Sequence, residues 1–271
     1  MKKILLSLLF IVSLTVFLSS CSKDDDEQQP VAVTYVLVHG AWQAPYVWEA
    51  VKTSLINEGN NVTVVELPGH GSDKTVPSAL TLNIYRDKVI DAVSKMNGKV
   101  ILVGHSLGGM IISAVAEQNP SKIEKLVYIA AYLPASGQSL QDLALSDGGS
   151  SLGGEGILTN NADGTLDVKQ DQITNIFIQD GSAQIQNLVL QNYRPEPAIP
   201  FTNPVILTAA NFGSVEKVYI KTLQDHVVSP SLQNRMISAA SVKTIYQLNT
   251  SHSPFLSKPD SVAILLTKIG Q

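Results

Sequence analysis

Residues Lys99 to Glu117 read KVILVGHSLGGMIISAVAE, and the pattern of that stretch decides the fold. Val100 to Val103 is an uninterrupted apolar run, the mark of a short strand buried on both faces. From Leu107 the apolar residues fall at Leu107, Met110, Ile111, Ala114 and Val115, which is helical spacing. The period changes across Gly104, His105, Ser106, Leu107 and Gly108, a G-x-S-x-G run set between strand and helix. A residue on so sharp a turn is strained, and strand and helix nearly touch there. Glycine on both sides leaves the room. Ser106 is therefore expected at the C-terminal edge of a sheet, facing the free N–H groups and positive end of the following helix.

Working toward the N-terminus, Leu80 to Met96 reads as a helix stopped by Gly98, and Asn61 to Glu66 as a strand. Tyr46 to Glu58 reads as a helix with Trp48, Val51, Leu55 and Ile56 on its inner face, closed by Gly59. Val31 to Val38 is a valine-rich strand leading into His39, Gly40, Ala41 and Trp42. A tight turn at Gly40 would free the Ala41 N–H to face the top of the sheet. With the Leu107 N–H it would form a two-donor oxyanion hole. His39 and His70 are expected to hold their loops rather than to act as bases.

Toward the C-terminus, Lys125 to Ala131 is a further buried strand, ending at Tyr132, Leu133 and Pro134. The alternation of strands and helices predicts an α/β fold, a mostly parallel sheet with helices on both faces. The rhythm stops from about Ala135 to Thr202, where Gly, Ser, Asn, Asp and Gln dominate. So long a structureless loop is improbable, so a small helical cap is expected, with helices near Asp171 to Gln179 and Ala183 to Asn192. Val215 to Thr222 and Ser241 to Gln247 are late strands, Pro230 to Ala240 and Pro259 to Ile269 late helices.

A serine hydroxyl is a weak nucleophile at neutral pH and needs a base, itself oriented by an acid. Asp225 and His252 each follow a late strand, so both should reach the edge where Ser106 emerges. Asp142, Asp147, Asp163, Asp167, Asp171 and Asp180 compete as acids but lie in or beside the insertion. His226 competes as base but adjoins the acid. Trp42, Tyr132 and Phe255 flank these loops and are candidates for pocket wall or for core, and His105, beside Ser106, is a further candidate for the pocket.

The ends and the composition bound the rest. With 271 residues and 44% apolar content the chain can bury a full-sized core in residues 31–271. Lys2, Lys3 and the apolar run Ile4 to Leu18 have the form of a secretory signal, too short for a membrane span. Leu18, Ser19 and Ser20 precede Cys21, the sole cysteine, and this segment resembles a bacterial lipoprotein signal. It implies lipidation at Cys21, attachment to a bilayer and a place in the bacterial cell envelope, with residues 21–30 as a polar tether. Ser22, Lys23 and Asp24 to Glu27 resemble the export signal of surface lipoproteins in the Bacteroidetes. The net charge of −4 and the lack of a basic patch argue against nucleic acid as a partner.

Taken together, YVLVHGAW (Tyr35 to Trp42), KVILVGHSLGGM (Lys99 to Met110), YIAAYLP (Tyr128 to Pro134), RPEP (Arg194 to Pro197), FGSVEKVYIKTLQD (Phe212 to Asp225) and SHSPFLSKP (Ser251 to Pro259) resemble one branch of the α/β hydrolases. It holds plant methyl esterases, plant hydroxynitrile lyases and related bacterial esterases. The resemblance spans nearly all of Tyr35 to Ile269. It implies a triad of Ser106, Asp225 and His252, oxyanion donors at Ala41 and Leu107, a mostly helical cap, a small ester as substrate, and neither metal nor organic cofactor.

In the lyases of that branch the loop histidine is followed by threonine, the nucleophile preceded by glutamate, and the catalytic histidine followed by lysine, which stabilises cyanide. Here those places hold Gly40, His105 and Ser253. With no cation at Ser253, ester hydrolysis is expected over cyanohydrin cleavage. Acyl transfer, lyase chemistry and a binding module with an idle triad remain open as alternatives, because fold and triad do not choose the scissile bond or acceptor.

Overall fold

The computed structural model describes residues 32–271. The signal segment 1–20, Cys21 and the tether 21–30 lie outside the described residues. Among the described residues no helix is long and apolar enough to cross a membrane.

In chain order the elements are β1 (Thr34–Val38), α1 (Glu49–Asn57), β2 (Asn61–Val65), α2 (Leu82–Ser94), β3 (Val100–His105), α3 (Gly108–Gln118) and β4 (Ile123–Ile129). The insertion holds α4 (Leu140–Leu145), β5 (Leu158–Asn160), β6 (Thr165–Val168), α5 (Ile173–Phe177), α6 (Ala183–Asn192), β7 (Glu196–Pro197) and α7 (Ile199–Thr202). The chain then closes with β8 (Glu216–Thr222), α8 (Pro230–Ala239), β9 (Thr244–Leu248), α9 (Pro254–Ser257) and α10 (Pro259–Gly270).

The main sheet has the order β2-β1-β3-β4-β8-β9, and every pairing in it is parallel. A parallel strand is covered on both faces, which is why Val100 to Val103 and Tyr35 to Val38 are apolar without alternation and fully buried. Helix α1 packs on α10 and α2 on α3, flanking the sheet. The chain leaves β1 toward β2 on one side, whereas β3 continues to β4 on the other. The C-terminal ends of β1 and β3 therefore border a topological switch point, the place where open α/β sheets bind ligands.

Two details depart from the sequence pattern. Ile56, expected inside, is 46% exposed. The segment opens as a 3-10 turn over Pro45–Trp48 before α1 begins, so Trp48, Val51 and Leu55 take the inner face and Ile56, one step round the helix, points out. The insertion is not purely helical: β5, β6 and β7 form a three-stranded antiparallel sheet. Its hairpin turns through Asn161, Ala162, Asp163 and Gly164, with Gly164 at φ 83° and the Asp163 carboxylate accepting from Thr165 N. Flanking strands of three and four residues are too short for their alternation to stand out.

Candidate active site

Ser106 sits at φ 53°, in the left-handed region that residues other than glycine seldom enter. The close approach foreseen around it is real: a Cβ on Gly104 would lie 2.6 Å from the Gly108 carbonyl oxygen. A Cβ on Gly109 would lie 2.1 Å from the carbonyl oxygen of Tyr132. The turn is held by the Ser106 carbonyl, which accepts from Gly109 N at 3.0 Å and from Tyr132 N at 3.1 Å. The start of α3 and the segment after β4 are thus tied to one residue.

Leu107 and Ala41 belong to the turns at the ends of β3 and β1. Among the described residues neither backbone N–H donates to a protein acceptor. Ala41, Trp42, Ser106 and Tyr132 line a cavity of about 260 Å³. Leu140, Leu145, Leu152, Leu158, Leu166 and Phe201, all from the insertion, are half of its remaining lining residues, and no charged side chain lines it. Trp42, like Ser106, is left-handed, at φ 57°. Its N–H donates to Glu196 Oε2 at 2.8 Å and its indole N–H to the Leu166 carbonyl at 3.0 Å.

Asp225 is buried in the loop after β8. Its Oδ1 accepts from Val227 N at 2.7 Å and Val228 N at 2.9 Å, and its Oδ2 accepts from Thr222 Oγ1 at 2.7 Å and His252 Nδ1 at 2.9 Å. Since a carboxylate only accepts, the proton on His252 is at Nδ1, and Nε2 is left with a lone pair when the ring is neutral. Among the described residues that Nε2 has no hydrogen-bond partner, Ser106 included. Such bonds are often long before substrate is bound.

The other four of the five histidines have different surroundings. His39 is buried, with Nδ1 donating to the Gly40 carbonyl at 2.9 Å and Nε2 accepting from Leu67 N at 3.3 Å. Burial, with His70 nearby, pushes its pKa down to about 3, so it is a neutral brace between two loops. His70 lies between two acceptors, the Pro68 carbonyl at 3.0 Å and Glu196 Oε2 at 2.8 Å. Both bonds form only if both ring nitrogens are protonated. Burial opposes that charge most strongly, but the Glu196 carboxylate and the backbone hydrogen bonds of Pro68 and Leu67 together outweigh it and the His70 pKa is raised. His226 is bonded through Nδ1 to the carbonyl of Asn175 at 2.8 Å.

His105 and Phe255, expected as possible pocket wall, lie elsewhere: both are fully buried, stacked edge-on with ring centroids 4.7 Å apart. His105 Nε2 donates to the His252 carbonyl at 2.9 Å, and its ring packs 4.4 Å from the His252 ring. Burial, then the proximity of His252, holds its pKa well below the ordinary histidine value. It supports His252 from beneath.

The competing acids are engaged otherwise. Asp142 completes a capping box with Ser139, Asp163 shapes the hairpin, and Asp167 accepts from the Tyr193 hydroxyl. Asp171 faces Lys169, Asp147 holds Ser229, and Asp180 accepts from Ser251 N. Glu196, fully buried, is the residue that sequence reasoning passed over; it stands in a two-residue strand between prolines, where no periodicity exists to mark it. Among the described residues no group of three potential ligands could hold a metal ion.

The family model described as the alpha/beta hydrolase family matches residues 35–264. Putative methylesterase 11, chloroplastic, of Arabidopsis thaliana is 32% identical over 248 residues, which are 88% of this chain and 64% of that protein. The chain therefore spans less than two thirds of that relative's length. Putative methylesterase 12, chloroplastic, of the same plant is 32% identical over 251 residues, 88% of this chain and 71% of that protein. Among solved structures, polyneuridine aldehyde esterase superposes with a TM-score of 0.78 at 21% identity, covering 89% of this chain and all of that one.

Proposed function

We propose that this chain, which belongs to the alpha/beta hydrolase family, is a hydrolase that cleaves small, uncharged carboxylic esters through an acyl-enzyme on Ser106, a reading supported by its similarity to methylesterases. The observation that carries this reading is the setting of Ser106: at φ 53°, on the wall of an apolar cavity, beside two N–H groups that have no protein acceptor among the described residues.

In the first half-reaction Ser106 Oγ attacks the ester carbonyl carbon while His252 Nε2 takes the hydroxyl proton. Asp225 holds the ring in that tautomer and stabilises the imidazolium. The Ala41 and Leu107 N–H groups receive the negative oxygen of the tetrahedral intermediate. On collapse His252 returns the proton to the departing alcohol oxygen. In the second half-reaction His252 draws a proton from water as that water attacks the acyl carbon, and Ser106 leaves as its hydroxyl.

Hydrolysis is favoured over cyanohydrin cleavage by the residue after His252. Ser253 is buried, neutral and bonded to Gln43 Nε2 at 2.9 Å, so a departing cyanide would meet no cation there. The test is hydrolysis of p-nitrophenyl butyrate by the purified protein beside Ser106→Ala, with a fluorophosphonate probe mapped by mass spectrometry. Turnover that disappears in Ser106→Ala, with the probe on Ser106, is the expected result. Equal turnover by the variant overturns the reading.

The place of action is proposed from sequence alone: acylation of Cys21 would hold the enzyme on a bilayer of the bacterial cell envelope. Incorporation of a labelled fatty acid, lost in Cys21→Ser, is expected; incorporation that persists in the variant would remove the proposal.

A further inference from the structure

Three carboxylates of the insertion reach across to the main domain, and each ends on a main-chain N–H of a different site loop. Glu196, on β7, accepts from Trp42 N at 2.8 Å, the residue after Ala41. Asp180, between α5 and α6, accepts from Ser251 N at 3.1 Å, the residue before His252. Asp147, after α4, accepts from Ser229 N at 2.8 Å and from the Ser229 hydroxyl, next to the Val227 and Val228 amides that grip Asp225. The insertion also holds the acid loop by its carbonyls: Gln179 Nε2 donates to Gln224 O and Ser151 N donates to His226 O at 2.8 Å, one on each side of Asp225.

We propose that Glu196, Asp180 and Asp147 are positioning residues, so that the insertion sets the geometry of the proposed oxyanion turn, histidine loop and acid loop as well as walling the cavity. This rests on the hydrolase reading given above. The physical need is specific. Loops that leave the C-terminal ends of parallel strands have no ladder partner beyond the sheet, and their amides must find acceptors elsewhere. Carboxylates make the strongest such bonds.

The case is clearest at Trp42. Its left-handed backbone is a strained state that persists only when its surroundings over-determine it. Every restraint described for Trp42 comes from the insertion or its flank: Glu196 on its N–H, Leu166 on its indole, Phe177 and Phe201 against its ring, both with centroids at 5.5 Å. Releasing the Trp42 N–H would free the Ala41–Trp42 peptide and, through it, the direction of the Ala41 N–H.

The test compares alanine and amide variants in the full-length protein by two measurements, turnover of p-nitrophenyl butyrate and backbone amide exchange read by mass spectrometry. Asp180→Ala should lower kcat by about 30-fold with KM changed by less than about threefold, as misplacement of a reacting group does. Asp180→Asn keeps an acceptor oxygen and should restore kcat to within about threefold of the parent. Exchange should rise at residues 250–253 in Asp180→Ala and at residues 40–43 in Glu196→Ala, each without the other. Wild-type kcat in both alanine variants, or exchange raised equally in all three loops, overturns the proposal. If the parent protein hydrolyses no ester, the reaction reading falls, and the loop-by-loop exchange pattern alone decides whether these carboxylates hold the loops. Should Glu196→Ala fail to fold, Asp180→Ala, at a residue that is only half-buried, and Asp147→Ala carry the same comparison.

Discussion

Asp225 Oδ2 and His252 Nδ1 lie 2.9 Å apart, and the same carboxylate is held by four further donors, Thr222 Oγ1, Gln233 Nε2, Val227 N and Val228 N. In the proposed mechanism this bond keeps the proton on Nδ1. Asp225→Asn can present an N–H to His252 and so invert the tautomer. A fall in kcat of about 10³ to 10⁴ with little change in KM is expected from steady-state kinetics. A loss below about tenfold would count against Asp225 as the orienting acid.

The elbow should tolerate no added carbon at Gly109, because a Cβ there would lie 2.1 Å from the Tyr132 carbonyl oxygen, a backbone atom that cannot swing aside. Gly109→Ala should lose on the order of 1–3 kcal/mol in urea unfolding, the usual cost of forced overpacking. Gly137→Ala is the useful contrast: nothing lies within 4 Å of its Cβ, and only its φ of 87° would be strained.

Acid stability should be set by two buried histidines. His39, pushed down to about 3, and His105, held well below the ordinary value, are neutral when folded and take up protons near pH 6.5 when unfolded. Their contribution is therefore complete above about pH 6.5 and is lost as pH falls toward the folded values, at about 1.4 kcal/mol per pH unit for each. His70 has the opposite sign. Its raised pKa contributes stability below about pH 6.5 that declines as pH rises through its folded value. Urea unfolding across this range should fall steeply on the acid side, and His39→Asn should make that side shallower. An acid limb of unchanged slope in the variant would refute the assignment.

Charge in the substrate should be penalised. The cavity wall beside Ser106 carries no charged side chain, and an ion desolvated there has no partner. For two esters of equal size, the neutral one should exceed the one bearing a free carboxylate by about 10² or more in kcat/KM. Comparable values for both would show that the substrate does not occupy this cavity.

Much of the fold was legible because its determinants are local. A buried parallel strand has to be apolar throughout, and an elbow between strand and helix needs glycine where backbones meet; both demands are written in adjacent residues from Val100 to Gly108. The chain order of Ser106, Asp225 and His252 was equally readable, since each follows a strand end. The cap sheet was not, because strands of two to four residues carry no usable period.

What lay beyond the sequence is what depends on distant partners. Five histidines look alike in a string of letters, yet the partner each ring meets makes one a neutral brace, another a ring held between two acceptors, another a support beneath His252 and another a surface tie. Only the fold places His252 against Asp225. Glu196 meets Trp42 across 154 residues of chain, and no pattern within either segment records that meeting. The sequence by itself determined the elbow, the parallel sheet and the placing of Ser106, Asp225 and His252 after strand ends, because short-range sterics and burial dictate them. Tertiary structure alone decided which polar groups face one another, because a buried donor is satisfied by whatever acceptor the completed fold brings to it.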